Sequence, residues 1–333
     1  MALVAINASD ASDLWAQAWQ LLAQGGSQRQ NHTKGDSVEM LHVGASIQDP
    51  RGRWVLSRHP PINPAFALAE VIWILAGRDD VQFLTPWNRR YADYVGPAQR
   101  AFGAYGPRLR HFGGVDQLES AYLALLAKPN SRQVVLNLWR PSTDLPLDDG
   151  RPRADDIPCS VMSLLKIADG RLHWFQVMRS NDLVLGLPYN IIQWTTIQEI
   201  LAGWLGVEMG EYAHHADSLH VYNRDQGAYD SRIYEPARNT DDLRLSYSSF
   251  QPVLGELEAA VERIAAAQAS SVIADTVSGF TGPEAYLNWV RVIASERSRR
   301  LGFDAESWAS QVSNPMLRMA LEAWLRYHGG LNE

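Results

Sequence analysis

The chain contains one cysteine, Cys159, in Asp156-Ile157-Pro158-Cys159-Ser160, just ahead of an apolar run. A thiolate is a strong carbon nucleophile. A cysteine held at a strand mouth by a preceding proline therefore fits covalent catalysis, provided that a cation or hydrogen-bond donors lower its pKa. Its residue type alone fits equally well a small, inert core side chain. Twenty residues later comes Arg179-Ser180-Asn181-Asp182, followed by Leu185-Gly186-Leu187-Pro188-Tyr189-Asn190. Arg179 closes a strand expected to pair beside Cys159. There its guanidinium would stabilise a thiolate or grip a phosphate through two N–H groups. Taken alone, it equally fits a surface turn in which Arg and Asp pair. Glu70 interrupts an apolar helical run; a buried carboxyl there would have a raised pKa and suit acid–base work, whereas an exposed helix position would carry no chemistry. His214, His215, Asp217 and His220 lie close in sequence, but their spacing fits no helix-borne zinc motif. They read as loop histidines, and no metal site is expected.

The elements that must hold these groups follow from periodicity. Leu14, Trp15, Ala18, Trp19, Leu21 and Leu22 form a helical stripe ended by Gly25-Gly26-Ser27. Residues 31–60 read as one or two strands, with a turn at Asp49-Pro50-Arg51-Gly52. Residues 64–77 and 115–128 read as helices. Val134–Trp139, Val161–Ile167 and Leu172–Met178 read as strands, the last two joined through Ala168-Asp169-Gly170. A long apolar helix is expected over 190–205, and helices over 254–274 and 283–299. The class is α+β: a large mixed sheet, one long buried helix and a helical C-terminal region. The expected division is a catalytic domain over 1–240 and a helical extension over 241–333 packed on it.

Composition sets outer bounds. The chain has 333 residues, 46% hydrophobic and 20% charged, with a formal charge of −7. That balance favours a globular chain and argues against broad nucleic-acid binding, while leaving room for a local phosphate pocket. One cysteine permits no internal disulfide. With no long apolar span and no basic leader ahead of the short N-terminal apolar run, a cytoplasmic protein with no membrane partner is expected. The twelve tryptophans read as core.

The ordered set Pro158-Cys159, hairpin, Arg179-Ser180-x-Asp182, Gly186-x-Pro188-Tyr189-Asn190 and His220-Val221-Tyr222 resembles the core signature of thymidylate synthases and related nucleotide hydroxymethylases. Order and spacing match from about 130 to 226. A weaker likeness runs upstream through Ala69-Glu70-Val71-Ile72-Trp73 and Tyr105-Gly106-Pro107-Arg108. The resemblance implies a thymidylate synthase-like fold, a pyrimidine nucleoside monophosphate as substrate and 5,10-methylenetetrahydrofolate as cofactor. It also implies a homodimer formed through the sheet. Cys159 would attack C6, turning C5 into an enol-like nucleophile. Arg179 and Ser180 would bind phosphate, joined by Arg132 from the opposing subunit; His220 and Tyr222 would hold the sugar. Glu70 would organise proton transfer. Asp182 would face the pyrimidine and folate, with Gly186, Tyr91 and Tyr94 near the folate. Asn190 would read the base: it offers a donor and an acceptor, as the O4/N3–H edge of uracil requires. It also reads as an N-cap for the helix that follows.

The departures from the pattern shape the expected reaction. Ser160 replaces the usual histidine after the nucleophile, and Gln133 stands where a second phosphate arginine is usual. Leu164 and Met178 fall near positions of common active-site glutamines. Tyr91 and Tyr94 replace two tryptophans. The basic N-terminal phosphate loop is not recognisable in Asn31-His32-Thr33-Lys34-Gly35, where Lys34 is the one substitute. The end, Tyr327-His328-Gly329-Gly330-Leu331-Asn332-Glu333, lacks the apolar tail that shuts out water in a synthase. Two products therefore stay open: methyl (dUMP to dTMP) as the leading expectation, and 5-hydroxymethyl (from dUMP, dCMP or CMP, as in specialised nucleoside metabolism) as the alternative. A non-catalytic nucleotide-binding homologue is the alternative of another class.

Overall fold

The computed structural model describes residues 4–23, 28–32, 35–96, 98–229 and 237–329. The strands are β1 (Val4–Ala8), β2 (Gln28–His32), β3 (Gly35–Ile47), β4 (Val135–Asn137), β5 (Ser160–Ala168), β6 (Arg171–Met178), β7 (Asn181–Asp182) and β8 (Glu208–Tyr222). They form one mixed sheet in the order β1-β3-β8-β6-β5-β4, with β2 paired to β3 and β7 to β8. The β5–β6 hairpin turns through Asp169 and Gly170, both at positive φ (50° and 70°), as the twist of a tight hairpin requires. β6 and β8 run parallel, whereas β8 and β3 run antiparallel.

Thirteen α-helical segments appear among the described residues. Those before the first long sheet hairpin are α1 (Ala11–Ala23), α2 (Pro64–Leu75), α3 (Val81–Leu84), α4 (Tyr91–Val95), α5 (Tyr105–Arg110), α6 (Gln117–Ala127) and α7 (Pro141–Asp144). α8 (Leu187–Leu205) is the crossover between the two parallel strands, as parallel pairing demands. The C-terminal set is α9 (Tyr247–Ala266), α10 (Ser270–Ser278), α11 (Glu284–Leu301), α12 (Glu306–Ser310) and α13 (Pro315–Tyr327).

α8 is apolar almost all round and buried to match, with Ile191, Trp194, Ile197 and Leu201 inside. Its buried Glu199 meets Arg53, which also donates to Thr196 Oγ1 at 2.9 Å, and Glu199 Oε1 lies 3.5 Å from Arg51 Nε. Gln198 donates to the carbonyls of Leu172 (2.8 Å) and Gly210 (3.1 Å), tying the helix to the strands on either side of its crossover. α2 starts at Pro64 behind the cap residue Asn63, whose side chain accepts from Phe66 N at 3.1 Å. α9, α11 and α13 all pack on α2, and their apolar side chains join one continuous core with those of the sheet layer.

Several expectations need correction. A strand, β1, precedes the first helix. Residues 208–222 form the fifteen-residue β8 rather than a histidine loop; its more and less buried residues largely alternate because alternate sides face core and solvent. The helix expected over 254–274 is two helices, broken where Ala267 turns to extended backbone. The strand expected over 134–139 is shorter, Val135–Asn137. Lys34, Gly25-Gly26-Ser27 and residues 330–333 lie outside the described residues.

Candidate active site

The site assembles where β5, β6, β7, β8 and α8 meet. Arg179 N–H donates to the Cys159 carbonyl at 2.9 Å, so the strand pairing brings arginine and cysteine side by side as expected. The guanidinium then folds under the cysteine loop. Its Nε donates to Pro158 O at 2.8 Å and its Nη2 to Ile157 O at 3.0 Å, and it lies 5.6 Å from the Trp139 ring. One cation thus fixes the loop that carries the nucleophile and keeps a positive charge beside it. The half-buried thiol lies close enough to two phenols to raise both. Burial pushes Tyr105 up, with the Cys159 charge adding to it, and the Tyr105 hydroxyl accepts from Ser160 N–H at 3.3 Å. Tyr222 is raised by burial first, then by Asp182, with Arg224 opposing and Cys159 adding.

The second wall comes from α2 and the start of α8. Glu70 points out of its apolar helix toward Asn190, and a single side chain joins them. Gln193 Nε2 donates to Glu70 Oε2 at 2.6 Å, while Gln193 Oε1 accepts from Asn190 Nδ2 at 3.1 Å. Burial raises the Glu70 carboxyl to about 7, the Gln193 hydrogen bond holding it down and Asp156 pushing it further up. At neutral pH it therefore exchanges a proton readily, as general acid–base work needs. Asn190 does not cap α8: the helix begins at Leu187 behind Gly186, and Asn190 N–H already donates to Gly186 O at 2.9 Å. Its amide is left for the site.

Asp182 closes the third side. Its Oδ1 accepts from Val184 N (2.7 Å) and Leu185 N (2.9 Å), fixing the turn into α8. β7 pairs Asp182 with His220, and a T-shaped contact of 5.3 Å joins His220 to Tyr222. A Cβ on Gly186 would come 3.1 Å from Asp182 O and 3.2 Å from Asn181 Oδ1, a tight fit that glycine relieves. Tyr91 packs on Phe66 and Trp73, and its phenol is raised by burial and then by Glu70, which places it at the carboxylate. Tyr94, on the same helix turn, is 42% exposed. Ser180 is half-buried beside Arg179.

Other expected residues lie elsewhere. Arg132 is exposed ahead of β4 and makes no ion pair among the described residues. Gln133 is exposed beside it. Leu164 faces the outer side of the sheet, paired with Val135 and Phe175, so it is no counterpart of a site glutamine. Met178 is fully buried, its sulfur accepting from Ser160 Oγ at 3.0 Å. The histidine group separates by strand alternation. His214 points inward to Asn181 Nδ2 (3.0 Å) and the Tyr212 hydroxyl (2.9 Å), and burial lowers its pKa to about 3. His215 and Asp217 point outward, where His42 Nδ1 meets Asp217 Oδ1 at 2.8 Å. Those three outer side chains offer ligand atoms within 4.8 Å of one another, a grouping that spans two strands and was hidden from sequence spacing. Of the tryptophans, Trp15, Trp87, Trp174 and Trp194 are fully buried, as the core reading expects.

Gln193 and Trp139 had not been singled out as site residues. Gln193 had one usable signal: it stands three residues after Asn190, on the same helix face.

Comparison with known proteins places this geometry. A family model described as thymidylate synthase matches residues 15–258. A deoxyuridylate hydroxymethyltransferase of Bacillus phage SP01 is 36% identical over 201 residues, which is 57% of this chain and 51% of that protein. A deoxyuridylate hydroxymethyltransferase of Pseudomonas phage M6 is 35% identical over 162 residues, 48% of this chain and 45% of the relative. A thymidylate synthase of Oenococcus oeni is 30% identical over 148 residues, covering 43% and 44% of the two chains. The chain spans about half the length of the curated relatives it matches.

Proposed function

Because the chain belongs to the thymidylate synthase family, we propose that it transfers a one-carbon unit to C5 of a pyrimidine nucleoside monophosphate, through a covalent bond from Cys159 to C6. The observation that carries this reading is the Glu70–Gln193–Asn190 chain set near the Arg179-braced Cys159 loop, whose Asp156 acts on the Glu70 carboxyl. Cys159 adds to C6, and Asn190 stabilises the charge that gathers on O4 by donating to it. Glu70 takes and returns protons at that oxygen, directly or through water, near its own pKa of about 7. C5 is then electron-rich and forms the new carbon–carbon bond. Loss of the C5 proton and release of the carrier amine would leave an exocyclic methylene on the ring, and that carbon takes water for a hydroxymethyl product, or hydride for a methyl one, as the Cys159 thiolate is expelled.

When bound, 5,10-methylenetetrahydrofolate supplies the one-carbon unit. The residues fit such a group: Gly186 leaves a side-chain-free corner beside Asp182, and Tyr189, three residues on, shares Phe66 with Tyr91 and is raised by burial and in part by Tyr94. Arg179 and Ser180 are assigned to the nucleotide phosphate, and His220 and Tyr222 to the sugar. We read dUMP as the substrate from the deoxyuridylate named for the two phage relatives, and the Asn190 amide can supply the donor and acceptor that its O4/N3–H edge requires.

The 5-hydroxymethyl nucleotide is the preferred product. A methyl product requires water to be shut out until hydride arrives; Tyr94, one of the two residues assigned there, is itself 42% exposed. The synthase reading, dUMP to dTMP, is favoured by the likeness to thymidylate synthases. We further assign the working unit as a homodimer through the outer sheet face, where Val135 and Phe175 are 38% and 39% exposed and Arg132 lies alongside. The test is tritium release from C5-labelled dUMP, dCMP, UMP and CMP with methylenetetrahydrofolate, followed by product mass. Release from dUMP with an added hydroxymethyl mass is expected. An added methyl mass would move the reading to a synthase. Nucleotide binding without release from any of the four would make the chain a binding protein.

A further inference from the structure

Gln193 is 3% exposed and touches polar groups at both ends. At one end its amide donates to Glu70 Oε2 at 2.6 Å; at the other its carbonyl accepts from Asn190 Nδ2 at 3.1 Å. Both amides in this chain have a direction, and the direction is set by the carboxylate. Once ionised, above its pKa of about 7, the Glu70 carboxylate only accepts, so it then holds the N–H₂ end of Gln193 toward itself. That leaves the Gln193 oxygen facing Asn190, which must present N–H₂ in return.

The consequence falls on the nucleobase edge. Uracil shows an acceptor at O4 and a donor at N3–H; cytosine shows the reverse, a donor at N4 and an acceptor at N3. An asparagine amide meets uracil in one orientation and cytosine in the orientation turned by 180° about its last bond. With one Nδ2 hydrogen committed to Gln193, the other still serves O4 and Oδ1 still serves N3–H. Turning the amide for cytosine would set Asn190 Oδ1 against Gln193 Oε1, two acceptors with no proton between them. Turning Gln193 as well would set its oxygen against Glu70.

We propose that Gln193 is a specificity-determining positioning residue, which locks the Asn190 amide in its uracil-reading orientation. The idea rests on the assignment of Asn190 to the base under the proposed function. It goes further, because asparagine alone selects neither base, and the selection lies in its neighbour three residues along the helix.

The test uses the full chain and measures dUMP and dCMP binding by calorimetry, alongside C5 tritium release from each. Gln193→Leu removes both hydrogen bonds and frees the Asn190 amide. The ratio of dCMP to dUMP dissociation constants is expected to fall at least tenfold, roughly one hydrogen bond's contribution. Gln193→Glu, with one proton shared between its carboxyl and that of Glu70, keeps an acceptor facing Asn190 and is expected to retain the preference for dUMP. The readout that a structural role would not move is the dCMP to dUMP ratio in the apolar variant. Gln193→Met serves as the second apolar variant where Gln193→Leu fails to fold. An unchanged ratio in a folded apolar variant, with the parent protein still releasing tritium from dUMP, overturns this proposal and leaves the proposed function standing. A parent protein that binds neither nucleotide overturns both.

Discussion

At the scale of residues, two side chains have effects that can be separated from folding. Replacing Cys159 by serine removes the soft nucleophile while keeping the size and the backbone bond from Arg179. Tritium release should fall to background, with dUMP affinity within a few-fold of the parent; full release in that variant would rule out the covalent route. Glu70 makes a prediction about stability. Its carboxyl is raised from 4.5 to about 7, so between those values the folded chain holds a proton that the unfolded chain has lost. Stability contributed by this group is thus complete below pH 4.5 and declines as pH rises toward 7, by up to about 3 kcal/mol at 1.36 kcal/mol per unit. Glu70→Gln carries no such term. Thermal denaturation should show the variant matching the parent near pH 4.5 and gaining on it by pH 8, and a constant difference across that range would refute the assignment. Both residues were visible in the sequence, Cys159 as the chain's only thiol and Glu70 as a charge in an apolar run. Gln193 was hidden because a buried glutamine carries no mark of its partners.

At the scale of elements, the site depends on the start of α2. Asn63 caps that helix through Phe66 N and also donates to Trp87 O at 2.8 Å, the carbonyl that Arg300 Nη2 reaches at 2.6 Å from α11. Its backbone N–H meets the Tyr189 hydroxyl at 3.1 Å. One residue therefore ties the Glu70 helix to α8 and to the C-terminal helices. Asn63→Ala should cost at least ~1 kcal/mol for the cap, lower Tm by a few degrees and reduce kcat more than dUMP affinity. A drop in Tm with kcat intact would confine Asn63 to a structural role. The helices 64–77 and 115–128, and the β5–β6 hairpin, were legible because their periodicity and turn residues agree. β8 was misread because Glu211, His214, His215, Asp217 and His220 fall on both of its faces and break the apolar alternation that marks a strand.

At the scale of the whole molecule, no described helix is long and apolar enough to cross a membrane. The outer sheet face, with Val135, Leu164, Phe175 and Val177, is where we place the dimer. If Arg132 serves the opposing site, two inactive variants should complement one another. Mixing Arg132→Ala with Cys159→Ser after subunit exchange should restore about a quarter of parental turnover, because half of the dimers are mixed and each has one intact site. Failure to recover activity, with exchange verified by mass, would return Arg132 to its own subunit's surface.

The sequence by itself determined the chemistry on offer: a single thiol, an arginine one hairpin away, a carboxylate in an apolar helix, and the ordered motif that marks the family. These are local in the chain, set by residue type and by spacings that secondary structure reads directly. The tertiary structure decided which groups face one another. It turned Arg179 under the Cys159 loop, sorted His214 from His215 across the sheet, and joined Glu70 to Asn190 through Gln193. Hydrogen bonds between side chains more than a hundred residues apart depend on how helices and strands pack, and the sequence leaves no periodic trace of that packing.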